Sequence, residues 1–145
     1  MIDNNCAYCV EGDLVAKFGI KICELETSKV YLFKEQSHPG RCIVAHKKHV
    51  GDMNELTAEE RAAYFEDVAR VARAIMKAFN PDKVNYGAYG DTGHHLHFHL
   101  CPKYKDEYEW GGVFLMNPDK KYLTDEEYAD TVSYTHLRAH ETELH

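Results

Sequence analysis

The most regular hydrophobic pattern in the chain runs from residue 57 to residue 80. Its apolar positions recur at spacings of three and four residues, which places them on one face of a helix. These positions are Tyr64, Val68, Val71, Ile75 and Phe79. Thr57 and Glu60 form a capping box at the start of this pattern, and Asn80-Pro81 ends it. The sequence therefore predicts one long amphipathic helix that packs against a sheet.

Four shorter segments have the composition of β-strands. Residues 29–36 and 41–46 are apolar and β-prone, and turn residues separate them, so we expect them to pair as antiparallel neighbours. Residues 84–89 and 95–102 are two further predicted strands. A second capping box, from Thr124 to Glu127, begins a short helix. Strands and helices do not strictly alternate, which predicts an α+β fold around an antiparallel sheet, with one long and one or more short helices.

Composition narrows the class of protein. A chain of 145 residues is long enough for one domain and too short for two ordinary ones. With 17 basic and 24 acidic residues the net charge is -7, so we expect no nucleic acid polymer as a partner, although a small phosphate compound is not excluded.

The longest apolar runs are far shorter than the roughly 20 residues that span a bilayer. The polar N-terminus has no signal-peptide pattern, so we expect a cytoplasmic protein without a membrane partner.

The five cysteines predict reduced thiols. An odd number of cysteines without a secretion signal argues against a disulfide framework. Cys6 and Cys9 have half of the spacing of a structural zinc site, but a redox pair or two buried thiols fit the same spacing. The other three cysteines are expected to be small core residues; they are Cys23, Cys42 and Cys101.

The C-terminal segment is expected to be foreign to the natural protein. Eleven consecutive residues, 132–142, match one reading frame of a transposon-type sequencing adapter. We therefore predict a single domain over residues 1–131 and a non-native tail over residues 132–145. An ordinary helical tail is the alternative. Three histidines of this tail are left out of the candidate site; they are His136, His140 and His145.

The segment 95–102 carries the most informative chemistry in the chain. Alternate side chains of a strand share a face, so His95, His97 and His99 are expected on one side and three apolar residues on the other. Imidazole is a good nucleophile near neutral pH, because its ordinary pKa of about 6.5 leaves the neutral form abundant. Such a histidine can attack phosphorus to give a covalent intermediate that water later opens. Alternating histidines also fit a metal site with three histidine ligands.

The order of motifs resembles that of the histidine-triad family. The signature His-φ-His-φ-His-φ-φ, with φ apolar, is present from His95 onward. It follows, in the family's order, a Cys-x-x-Cys pair, a Pro-Gly turn, a strand ending in Lys-Lys-His, a long helix and an Asn-bearing strand. The resemblance covers about residues 5–128. It implies an α+β domain, usually a homodimer, that hydrolyses or transfers at nucleoside phosphates such as phosphoramidates or dinucleoside polyphosphates.

The resemblance also assigns roles to single residues. It implies that His97 is the catalytic nucleophile, that His99 contacts the phosphate, and that Asn85 belongs to the nucleotide site. Several bacterial members complete a zinc site from the Cys-x-x-Cys pair, the histidine of the Lys-Lys-His run and the first triad histidine. The corresponding residues here are Cys6, Cys9, His49 and His95. A closed set of four ligands leaves no open position, so this zinc would be structural.

Two positions depart from the family pattern. Arg41 stands where many members have a histidine, and it is expected either to hold a phosphate by a bidentate contact or to face solvent. Residues 90–93 replace the Gly-Gln-Ser/Thr run that contacts phosphate in better-known branches. Of the remaining histidines, His94 is expected at a loop end, and His38 and His46 at the surface or in turns.

Three functions fit these residues. The first is a nucleotide hydrolase or nucleotidyl transferase that works through a nucleotidyl-His97 intermediate. The second is a zinc-stabilised binding module that retains nucleotide with little turnover. The third is a hydrolase with all three histidines on a catalytic metal ion, which the Cys-x-x-Cys pair disfavours.

Overall fold

A computed structural model describes residues 3–141, and for Glu141 the backbone alone. Its sheet has five strands, β1 (Gly19–Glu24), β2 (Ser28–Phe33), β3 (Cys42–His46), β4 (Lys83–Gly87) and β5 (His97–Lys103). Every pairing is antiparallel and the spatial order is β1-β2-β3-β5-β4. The predicted fold class is therefore confirmed.

Within the described part of the chain, four α-helices accompany the sheet. The long helix α3 (Ala58–Phe79) crosses one face, and the short helices α1 (Ala7–Val10) and α2 (Gly12–Ala16) precede the first strand. The helix α4 (Asp125–Glu141) follows the last strand, and a 3₁₀ turn lies at Met53–Glu55. Within residues 3–141, no helix is long and apolar enough to cross a membrane.

The long helix begins and ends where the sequence predicts. The Thr57 hydroxyl accepts from the Glu60 backbone N–H at 3.1 Å, and the Glu60 carboxylate accepts from the Thr57 N–H at 2.8 Å. At the other end Asn80 adopts the left-handed conformation that terminates helices. The Tyr64 hydroxyl donates to the Val44 carbonyl at 2.7 Å, so the apolar face of α3 packs on the central strand β3 as predicted.

The two faces of the sheet have different neighbours. The main core lies between α3 and the face that carries Val44 and Leu100. A smaller apolar cluster lies on the opposite face, where Ile43 and Ala45 meet Tyr8 and Val15 of the N-terminal helices. Because β3 pairs with β5 in register, this second face also carries two residues of the histidine run.

Two elements differ from the sequence prediction. The edge strand β1 was not predicted, because Lys21 and Glu24 interrupt its apolar residues and a bulge breaks its register at Lys21/Cys23. The helix α4 runs through residue 131 to Glu141, with Thr135 and Ala139 buried. The foreign origin of residues 132–145 stays a prediction that re-reading the source nucleotides would test; residues 142–145 lie outside the described part of the chain.

Candidate functional site

A cavity of about 1010 Å³ opens on the face of the sheet opposite α3. Its floor contains His97 and His99 of β5 together with Phe33 and Ile43. Three segments build its walls: the N-terminal residues as far as Tyr8, the loop 89–95, and residues 113–116. A cavity of this size accommodates a small organic ligand, and the imidazoles are its principal reactive groups.

At the start of β5, a hydrogen bond to the backbone of His95 fixes the His97 ring. Its Nδ1 lies 2.7 Å from the carbonyl oxygen of His95. Because a carbonyl oxygen can only accept, Nδ1 carries the proton and Nε2 keeps its lone pair. Burial lowers the pKa of His97 below its ordinary value. This arrangement favours a neutral ring whose Nε2 lone pair is available.

His99 lies on the same face of β5 as His97, and its ring contacts Phe33 and Arg41. Its ring centroid lies 5.3 Å from that of His97, and it meets the Phe33 ring edge-on at 5.7 Å. Its Nδ1 lies 3.0 Å from Nη2 of Arg41. Burial, together with the Arg41 charge, lowers the pKa of His99 to about 3, so its ring is neutral throughout the physiological range.

His95 lies outside β5, apart from His97 and His99. It precedes β5, which begins at His97 instead of residue 95, and its side chain is 2% exposed. Its Nδ1 lies 3.3 Å from Cys6 Sγ, 3.6 Å from Cys9 Sγ and 3.1 Å from His49 Nδ1. Cys9 Sγ is also 3.3 Å from His49 Nδ1. The three triad histidines therefore divide between two sites.

These four residues fit a metal ion. Their donor atoms all lie within 4.8 Å of one another. Ligand atoms of a tetrahedral zinc, with bonds of about 2.0–2.3 Å, are about 3.3–3.8 Å apart, close to the separations seen here. His95 Nε2 lies 2.6 Å from the His46 carbonyl, which accepts its proton and leaves Nδ1 free to coordinate. The Cys6, Cys9, His49 and His95 cluster can thus hold a metal.

Tyr8 connects the cluster to the cavity. It lies between the two cysteines in sequence, and its ring centroid is 5.4 Å from that of His95 and 5.0 Å from that of His97. It is 6% exposed and also packs against Phe18 and Tyr31. A metal bound by Cys6 and Cys9 would therefore fix the wall of the cavity beside His97.

Two predicted nucleotide contacts lie away from the cavity. Among the described residues, the cavity lining includes neither Asn85 nor Arg41. Asn85 lies on β4 opposite Cys101. Arg41 is fully buried, which rules out the expectation that it faces solvent. His94 lies in a loop, as expected; its side chain is exposed and lines the cavity.

The two histidines expected at the surface or in turns have different outcomes. His38 lies in a turn, since the Arg41 N–H donates to its carbonyl at 3.1 Å, although its side chain is only 2% exposed. The prediction for His46 was wrong, because His46 belongs to β3 and is 4% exposed. The Nε2 of His38 lies 2.6 Å from the Leu115 carbonyl, and His46 packs edge-on against Tyr64. The sequence around these two histidines gave no sign that distant segments of the chain cover their side chains. The three remaining cysteines are buried, as predicted.

The segment 104–122 was missed as part of the site. Phe114 and Met116 line the cavity. The backbone carbonyls of Leu115 and Met116 accept hydrogen bonds from the side chains of His38 and Arg41, respectively. This segment has no helix or strand, so hydrophobic periodicity gives no signal for its placement. The run of aromatic and apolar residues after Trp110 was the available hint.

The sequence matches the family model of the HIT domain over residues 19–106. This match covers more than half of the chain, and the chain belongs to the HIT family.

Curated relatives agree with this assignment. The chain is 30% identical over 122 residues to Protein hit of Bacillus subtilis, covering 79% of this chain and 82% of that protein. It is 29% identical over 116 residues to the adenosine 5'-monophosphoramidase hnt1 of Schizosaccharomyces pombe, covering 74% and 80%. It is 26% identical over 111 residues to a bis(5'-adenosyl)-triphosphatase of Dictyostelium discoideum, covering 73% and 70%. At the family level, this supports a nucleotide hydrolase.

Solved structures share the fold. A histidine triad protein from Marinobacter aquaeolei aligns with a TM-score of 0.80 at 20% identity, covering 90% of this chain and 96% of that one. A Zn-bound histidine triad family protein from Mycobacterium smegmatis aligns with a TM-score of 0.67 at 21% identity, covering 94% and 96%. At this identity the likeness concerns the fold.

Proposed function

We propose that this protein is a nucleotide hydrolase or nucleotidyl transferase that works through a covalent nucleotidyl-His97 intermediate. One observation carries the proposal: the His97 imidazole lies on the cavity floor with Nδ1 tied to the His95 carbonyl, which leaves the Nε2 lone pair free. The substrates are nucleoside phosphate derivatives, either a phosphoramidate or a dinucleoside polyphosphate. The names of the Schizosaccharomyces pombe and Dictyostelium discoideum relatives support both classes.

The reaction has two steps at one phosphorus atom. The His97 Nε2 attacks the α-phosphorus, and the bond to the amine or to the second phosphate breaks with its electron pair leaving on that group; the amine takes up a proton from solvent and leaves neutral. Water, or another acceptor in a transferase, then attacks the same phosphorus, the bond to Nε2 breaks with its electron pair returning to that nitrogen, and the acceptor's proton passes to solvent. His99, beside His97 and neutral, donates a hydrogen bond to a phosphoryl oxygen. The nucleotide leaves as the monophosphate after hydrolysis.

Arg41 and Asn85 enter this scheme differently from the first expectation. Neither lines the cavity, so a direct contact to substrate would need a local rearrangement. Arg41 nevertheless touches His99 through a 3.0 Å hydrogen bond. Gly87 of β4 pairs with His99 of β5. Asn85 lies on the same face of β4 as Gly87, two residues further from the histidines.

The metal in the Cys/His cluster is a structural zinc. Two thiolates and two imidazoles with near-tetrahedral separations are a donor set that zinc prefers, and the Zn-bound Mycobacterium smegmatis structure supports the same choice in a protein of this fold. The zinc contributes folding free energy by closing the N-terminal segment onto the start of β5. Metal analysis of protein purified without a histidine tag should give about one zinc per chain; less than about half would contradict it.

Turnover measurements separate the candidate functions. Adenosine phosphoramidate and diadenosine polyphosphates are incubated with the wild type and with His97→Ala, each with and without a chelator. A His140→Ala variant is the matched control, because His140 is exposed on α4 and lies outside the cavity lining. We expect turnover in the wild type and the control, little effect of the chelator over a short assay, and no turnover in His97→Ala.

The other outcomes point to the remaining functions. Binding of nucleotide without turnover in the wild type would favour the zinc-stabilised binding module. Immediate loss of activity with the chelator would favour a metal-dependent hydrolase. Against that third function, the group of metal-ligating residues found within residues 3–141 places His95 with the two cysteines and omits His97 and His99.

A further inference from the structure

Arg41 is a cation with an unusual environment. It is 0% exposed, and its guanidinium stacks on the Phe33 ring at 4.0 Å with the Phe114 ring at 5.3 Å. Its described side-chain hydrogen bonds run from Nη1 to the Met116 carbonyl, and from Nη2 to Nδ1 of His99 and to Met116 Sδ. Burial lowers its pKa, yet arginine stays protonated in proteins. A buried charge of this kind is costly, which suggests a role beyond packing.

The hydrogen bond to His99 has a definite direction. A guanidinium has five N–H donors and no acceptor, so His99 Nδ1 must accept, and the single ring proton of neutral His99 sits on Nε2. His97 is the reverse case, because its Nδ1 donates to a carbonyl and its Nε2 is bare. Two imidazoles with ring centroids 5.3 Å apart are thus held in opposite tautomers.

We propose that Arg41 is a positioning residue that acts through His99: it holds His99 as the Nε2–H tautomer, so that His99 donates a hydrogen bond to the substrate's phosphoryl oxygen and exchanges no proton during the reaction. The identity of that oxygen rests on the proposed function. The tautomer itself rests only on the Arg41–His99 geometry.

The surroundings make this arrangement rigid. The Phe33 ring contacts both partners, the guanidinium through its face and the His99 ring edge-on at 5.7 Å. The Met116 carbonyl fixes the other end of the guanidinium. The cation beside His99 also opposes its protonation, in keeping with its low pKa. Arg41 therefore restricts the proton states that His99 can reach.

Nitrogen NMR of the histidine rings tests the tautomer without any substrate. Two-bond proton–nitrogen correlations at neutral pH distinguish Nδ1–H from Nε2–H rings, and a His99→Asn spectrum assigns the His99 signals. We expect a pure Nε2–H ring in the wild type, the same in Arg41→Lys, which keeps a donor, and a mixture of tautomers in Arg41→Met. An Nδ1–H ring in the wild type, or an unchanged pure ring in folded Arg41→Met, would overturn the proposal. If Arg41→Met does not fold, the wild-type and Arg41→Lys spectra decide.

Kinetics then test whether Arg41 acts through His99. With adenosine phosphoramidate, Arg41→Met should lower kcat about tenfold with little change in KM, and Arg41→Lys should recover most of this loss. In a His99→Phe background, Arg41→Met should have no further effect. An equal loss in both backgrounds would overturn the coupling. If the wild type turns over no nucleotide, the proposed function fails, while the NMR result still decides the tautomer.

Discussion

Tyr8 shows how one side chain can serve the core and the site together. Its ring packs against Phe18 and Tyr31 on one side and against His95 and His97 on the other. The sequence places it between two cysteines, and the structure shows that this spacing brings an aromatic ring to the cavity wall. Tyr8 therefore contributes to the packing of the core and also shapes the cavity wall beside His97.

Removing the Tyr8 ring should be costly. We expect Tyr8→Ala to lower the free energy of unfolding by about 3 kcal/mol, because a buried aromatic side chain leaves a cavity. Tyr8→Phe, which keeps every ring contact, should stay within about 1 kcal/mol of the wild type. Urea denaturation of the metal-loaded proteins measures both values. Equal stabilities for the two variants would contradict the packing role.

His99 should make stability depend on pH. Its pKa in the folded protein is about 3, whereas an unfolded histidine has an ordinary value of about 6.5. The unfolded state therefore binds more protons between these values, and stability declines as pH falls below about 6.5, by up to about 1.4 kcal/mol per pH unit.

Comparison with His99→Gln isolates this contribution, because both proteins keep the same metal cluster and the same Arg41. The free energy of unfolding of each is measured between pH 7 and pH 5. The wild type should lose more stability than the variant as pH falls. Parallel curves would show that His99 takes up its proton equally in both states.

At the scale of elements, the histidine strand and the long helix were predictable because their patterns are local. The capping box at Thr57 and the alternation around His97 depend on residues a few positions apart. The Cys/His cluster was found through the resemblance. The environment of Arg41 was not predictable, because it is formed by Met116 and Phe114, about 75 residues further along the chain in a segment without regular structure.

The N-terminal segment should depend on the metal. α1 carries Cys9 and Tyr8 and follows Cys6, and the two cysteines contact His95, just before β5, and His49. A chelator should release it, so we expect limited proteolysis to cut within residues 3–12 much faster without metal, while cleavage elsewhere changes less. The double variant Cys6→Ala/Cys9→Ala should be cut rapidly with or without chelator. A chelator that speeds cleavage equally in the wild type and the double variant would contradict the role of the cluster.

At the scale of the whole molecule, the family resemblance predicts a homodimer. The segment after Trp110 exposes several large apolar side chains, including Val113 at 74% and Tyr122 at 65%. Such patches are typical of interaction surfaces. Sedimentation equilibrium at micromolar concentrations should give twice the chain mass of 16.7 kDa. The chain mass itself at every concentration would contradict the prediction.

The whole molecule brings His97 and His99 to one cavity floor, and it separates them from a Cys/His cluster that can hold a metal beside the cavity wall. In this account the metal contributes stability, Arg41 sets the proton state of His99, and His97 performs the attack. Each of these roles follows from a hydrogen bond whose direction is set by the chemistry of its partner.

The covalent intermediate is the most direct test of the account. Wild type mixed with adenosine phosphoramidate is quenched within milliseconds to seconds, and the intact mass is measured under conditions that preserve phosphorus–nitrogen bonds. We predict a transient species heavier by one adenylyl group, with peptide mapping that places the group on His97 and with no such species in His97→Ala. Turnover without any adduct on His97, or the same adduct in His97→Ala, would contradict the central claim.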